Sequence, residues 1–94
     1  MLFLFSFLNV PAHINLQLVI KDIENIEDIV GVHHVHIWGL DEKNTHFEAH
    51  INVNDMLVSE TKIILDKIEN LLKEKHKINH ITIQFEYNGC GGKE

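Results

Sequence analysis

Apolar side chains recur at three- and four-residue spacing early in the chain, at Leu16, Val19, Ile20, Ile23, Ile26 and Val30, with Asn15 before them and Gly31 after. Such spacing lines one face of a helix, Asn15 carries the acceptor of an N-cap, and Gly31 suits a C-terminal stop, so a first amphipathic helix is expected to reach Val30. Residues 32–40 and 45–54 then read as strands, and Asp41-Glu42-Lys43-Asn44 between them has the turn chemistry of a hairpin. Helical spacing returns at Leu57, Thr61, Ile64, Leu65, Ile68, Leu71 and Leu72, where Lys73 and Lys75 complement the C-terminal end of the helix dipole. The stretch INHITIQFEY closes as a strand, and NGCGGKE reads as a loose tail.

The order α-β-β-α-β predicts an α+β fold of ferredoxin-like layering, two helices covering one face of a three-stranded sheet. Alternation along each strand then sorts side chains between the covered and the open face. In the second strand Phe47, Ala49, Ile51 and Val53 take the helix side, and His46, Glu48, His50 and Asn52 the other. In the third strand Ile81, Ile83, Phe85 and Tyr87 turn inward, while His80, Thr82, Gln84 and Glu86 turn outward. In the first, Val35 and Ile37 point inward, which sends His34, His36 and Trp38 to the open face.

A length of 94 residues holds one domain with a modest core. Residues 1–10 form an apolar N-terminal arm, 11–88 the domain, and 89–94 a cysteine-containing tail. The apolar run MLFLFSFLN is far short of the roughly 20 residues of a membrane helix and lacks the basic start of a signal peptide. Eight Lys plus Arg against 14 Asp plus Glu give a net charge of −6, which disfavours nucleic acid as a partner and favours cations. The single cysteine, Cys90, excludes an internal disulfide framework and suits a reducing cytosol.

Eight histidines in so short a chain are the compositional feature that points to chemistry, and three of them fall in VHHVHIWG, residues 32–39. Zinc takes four N, S or O ligands at about 2.0 to 2.3 Å, and strand neighbours plus a tail residue can supply them. His50, His80, Glu86 and Cys90 are candidates on that ground. His33 and His36 are three apart, so on a regular strand they point to opposite faces, and alternation favours His36 as the ligand. Trp38 reads as a packing or interface residue. Nothing favours catalysis: Cys90 and His80 lack a third orienting group, and no phosphate-cradling loop opens either helix, so the chain is not expected to be an enzyme.

The segments IVGVHHVHIWGL, FEAHINV and INHITIQFE, followed by a tail cysteine, resemble the cytoplasmic C-terminal domain of cation diffusion facilitator transporters over about residues 11–90. The resemblance implies the α-β-β-α-β fold, a homodimer, and zinc or a related divalent ion such as cobalt, nickel or cadmium bound near the dimer interface to regulate transport. Position by position, it implies ligands at His33, His50 and His80, a carboxylate at Glu86, and a thiol in the tail at Cys90. His34 stands where the family usually has Asp, and one thiol stands where many relatives have a Cys-x-x-Cys pair. The family's transport helices are not in this sequence, so the chain is not expected to move ions by itself. The expected function is a cytoplasmic metal-binding, dimerising regulatory domain, a sensor, buffer or metallochaperone, held at the membrane only through a cation efflux transporter. The alternative from a different class is a homodimeric interaction domain that needs no metal, motivated by Trp38 and Leu40.

Overall fold

The computed structural model describes residues 10–87, so the N-terminal arm before Val10 and the tail carrying Cys90 lie outside the described residues. The chain runs α1 (Leu16–Glu24), β1 (Ile29–Gly39), β2 (Thr45–Val53), α2 (Val58–His76) and β3 (His80–Glu86). The order and layering are those the hydrophobic pattern predicts.

Helix α1 begins as expected, with the Asn15 side-chain oxygen accepting from the Leu18 N–H at 3.1 Å. It ends at Glu24, six residues before Val30, and the expected longer helix is corrected here. Asn25 closes the last turn, and Asp28 takes a left-handed φ of 76°, which turns the chain into β1. Ile29 and Val30 are β-branched and suit a strand, where Ile29 pairs with Val53.

Strand β2 is central: β1 pairs with it antiparallel across the Asp41–Asn44 turn, and β3 pairs with it parallel after the α2 crossover. The Asp41 carboxylate accepts from the Lys43 and Asn44 N–H groups at 2.8 and 2.9 Å, which fixes the turn. Chiefly through its bonds with the Asn44 side chain, this holds the Asp41 carboxyl below the usual carboxylate range.

Helix α2 is entered through Leu57, whose N–H donates to Glu60 Oε1 at 2.8 Å. Leu57 is 69% exposed, so it precedes the helix instead of starting its buried stripe. The helix stops at Lys77, in a left-handed conformation (φ 60°), and the Ile78 N–H reaches back to the Leu72 carbonyl at 2.9 Å. Val19 and Ile23 of α1, Ile64, Ile68 and Leu72 of α2, and Phe47, Ala49 and Ile51 of β2 form the core. Asp22 joins the helices at their edge, with the Lys75 ammonium at 2.9 Å and His76 Nε2 at 2.8 Å from its carboxylate.

The departure that matters for function is in β1. His33 pairs with His50 and His36 with Glu48, so β1 spends three residues where β2 spends two. The surplus residue is a β-bulge, and His34 within it has a φ of 55°. The bulge reverses the parity of alternation: His33 and His36 both lie on the open face, and the expectation that they point to opposite faces is corrected.

Candidate metal centre

The central strand presents His50 on the face the helices leave uncovered. Antiparallel pairing brings His33 of β1 directly opposite it. On the other side the parallel register sets Gln84 beside His50 and Glu86 beside Asn52. The Glu86 side chain reaches back along the sheet from there. Its Oε2 lies 2.6 Å from His50 Nδ1, and its Oε1 lies 4.0 Å from His33 Nε2. Gln84 Nε2 donates to the same Oε2 at 3.2 Å and steadies the carboxylate.

All three side chains are about a third exposed or less, at 30% for His33, 31% for His50 and 26% for Glu86. His33 Nε2 itself is buried and has no hydrogen-bond partner among the described residues. A buried polar atom left unpaired is costly, so its presence beside a carboxylate and a second imidazole calls for a function.

These distances can be tested against an ion. Two ligands bound at about 2.05 Å to a tetrahedral zinc stand about 3.3 Å apart. The His50–Glu86 separation of 2.6 Å is shorter than this and the His33–Glu86 separation of 4.0 Å is longer, each by about 0.7 Å on that geometry. Among the described residues no three His, Cys, Asp or Glu side chains already stand as a metal-holding group. A divalent ion held by His33, His50 and Glu86 would therefore require these side chains to close around it.

The remaining sequence candidates are placed differently. His80 pairs with His46, four residues along β2 from His50, which is about 13 Å on a strand. The single tetrahedron drawn from His50, His80, Glu86 and Cys90 is thus not assembled within the described chain, because a shared face does not mean a shared position along it. His36 lies opposite Glu48, one outward row from the His33–His50 pair and about 7 Å along the strand. Cys90 falls outside the described residues. At the His80 end of the sheet Trp38 stacks on His46, ring centres 4.4 Å apart and planes within 21°.

His34 was read from the sequence only as an outward residue and a departure from the family's Asp. Its ring centre is 4.8 Å from that of His50 and 6.0 Å from that of His33. Alternation places it outward only on a regular strand, and the HHVH run gives no sign of the bulge that brings it here.

The α-β-β-α-β fold over a three-stranded sheet matches that of the cytoplasmic domains of cation efflux proteins. Over residues 11–88 the chain matches the family described as cation efflux protein, cytoplasmic domain, and it belongs to that family. It is 40% identical over 77 residues to the cadmium, cobalt and zinc/H(+)-K(+) antiporter of Bacillus velezensis, covering 81% of this chain and 24% of that protein. It is 33% identical over 81 residues to the metal cation efflux system protein CzcD of Cupriavidus metallidurans, covering 86% of this chain and 25% of that protein. The chain spans about a quarter of the length of these relatives. Among solved structures, the metal-bound C-terminal domain of the CzcD transporter from Cupriavidus metallidurans matches with a TM-score of 0.68 at 29% identity, covering 78% of this chain and 99% of that one. The family is a transporter domain and not a catalytic fold. Among the described residues no helix is long and apolar enough to cross a membrane.

Proposed function

We propose that this chain is a divalent-metal-binding regulatory domain of the cation efflux type that works as a homodimer, with His33, His50 and Glu86 as ligands and zinc as the ion. One observation carries the reading: a carboxylate set between two imidazoles, one with a buried nitrogen that has no partner among the described residues, on a sheet face that neither α1 nor α2 covers. Imidazole and carboxylate together suit zinc, cobalt and cadmium, the ions in the name of the Bacillus velezensis relative. His36, His80 and Cys90 stay outside this first set. His80 and His36 lie on the same open face, in other rows of the sheet.

A net charge of −6 draws cations to that surface and opposes nucleic acid. With ions bound and released in the cytoplasm, the domain acts as a sensor, buffer or metallochaperone, reporting to a transporter on the ion it exports. Zinc titration by calorimetry tests the reading: the wild-type chain gives saturable binding and His50→Ala weakens it. Folded wild-type protein that binds no zinc, and whose sedimentation as a dimer ignores chelator, would establish the metal-independent interaction domain instead.

A further inference from the structure

Three ligands leave one position of a tetrahedron unfilled, and the β1 bulge sets the His34 imidazole beside the His33 and His50 rings. We propose that His34 supplies the fourth ligand from the same chain, so that one protomer completes a three-imidazole, one-carboxylate site without the tail thiol or a second copy. This rests on the reading that His33, His50 and Glu86 bind a divalent ion.

The geometry is specific. An imidazole bound at about 2.05 Å has its ring centre about 3.2 Å from the ion, so two imidazoles on one tetrahedral ion have centres about 5.2 Å apart. The observed separations bracket that value, 4.8 Å from His34 to His50 and 6.0 Å from His34 to His33. The rings are inclined to one another, at 54° for His34 and His50 and 70° for His34 and His33.

The backbone supports the same reading. His34 holds a φ of 55°, a conformation that a side chain with a β-carbon resists and that persists where the surroundings impose it. A bulge re-aims the side chain it carries, and on a regular strand His34 would not share the face of both His33 and His50. His34 is exposed, so its nitrogens are free to turn to an incoming ion without first breaking a buried packing arrangement. A closed four-ligand shell has no position for a reactive water, which is the property of a binding site and not of a catalytic one.

The test compares His34→Asn, His34→Gly and His50→Ala with the wild-type full chain, using zinc affinity by chelator competition and the visible spectrum of the cobalt(II) form. Asn and Gly both tolerate positive φ, so the bulge survives and the metal-free variants melt no lower than wild type. Loss of an outer partner of a metal ligand typically costs about 10- to 100-fold in affinity, so loss of a ligand costs at least about tenfold. Both His34 variants should weaken zinc by that much and replace the intense tetrahedral cobalt bands with the weaker bands of a water-completed shell. Wild-type affinity and cobalt bands in His34→Asn, with binding lost in His50→Ala, would overturn the fourth ligand and leave the three-ligand reading standing. Loss of affinity in Cys90→Ser but not in His34→Asn would overturn it in favour of the tail thiol. A wild-type chain that binds neither ion overturns both readings.

Discussion

Replacing His33 with Phe should stabilise the domain without metal and destabilise it with metal, a reversal that an ordinary packing residue does not produce. The argument starts from Nε2, buried with no hydrogen-bond partner among the described residues, and with the nearest carboxylate oxygen 4.0 Å away. An unsatisfied buried polar atom costs about 1–3 kcal/mol. The ring is 30% exposed and a carboxylate lies nearby, so the low end applies, about 1 kcal/mol. Phe keeps a flat ring in the same place and removes the penalty. For a domain of this size about 1 kcal/mol moves the melting temperature by about 4–8 °C, here upward.

Metal changes the order. An ion that binds only the folded form adds about 2.7 kcal/mol when present at 100 times its dissociation constant, about 11–22 °C on the same scale. Wild type gains that shift and His33→Phe, binding at least about tenfold more weakly, gains about half of it or less, so the order of the two melting temperatures reverses between chelator and zinc. Scanning calorimetry of both proteins, with chelator and with excess zinc, gives the four temperatures needed. A metal-free variant that melts well below wild type would show that His33 is held by a favourable contact. A variant that keeps the zinc shift would remove His33 from the ligands.

Glu86→Gln keeps the shape of the side chain but removes the charge shared with His50 and His33; zinc affinity should fall at least about tenfold by calorimetry, the size of effect seen for partners of metal ligands. The Lys75 and His76 side chains bonded to Asp22 hold its carboxyl below its ordinary 3.8, so the stability it gives is fully present above that value and is lost as pH falls through the lowered folded value. Asp22→Asn should therefore be less stable than wild type at neutral pH, with the gap closing in acid unfolding curves below about pH 4. Phe47→Ala empties a fully buried site on the central strand and should cost about 3–5 kcal/mol in urea unfolding; a loss under 1 kcal/mol would deny the placement of the core.

What the sequence makes legible is whatever depends on neighbours within a turn or on strict alternation. Phe47, Ala49 and Ile51 are buried where alternation puts them, and Asn15 caps the helix it precedes. The end of α1 is not legible, because Ile26, Ile29 and Val30 continue a helical spacing while their β-branched side chains equally suit a strand. The helix closes at its Asn25 C-cap, and Asp28, with φ 76°, then turns the chain into β1; both are turn-prone residue types whose signal the continuing apolar spacing masks. The face of His80 is legible, but its position along the sheet is not, for another reason. Alternation assigns a face, but the parallel register after the α2 crossover decides the row, and that register pairs His80 with His46 and not with His50.

The bulge ties these limits to the site. Alternation chooses His36 over His33 because it counts every residue of β1 as one step of the pleat. The family resemblance chooses His33 because it compares positions and counts no steps. The two disagree only while β1 is taken as regular. Between His33 and His36 the strand advances three residues against two of its partner, so the step count is off by one and both histidines reach the open face. With both on one face, distance along the sheet favours His33 for the proposed site: His33 stands across from His50, with Nε2 4.0 Å from Glu86, while His36 stands across from Glu48. The inserted residue that makes His33 available also turns His34 toward His50. A regular strand would offer one histidine from this run to the cluster, and the bulged one offers two.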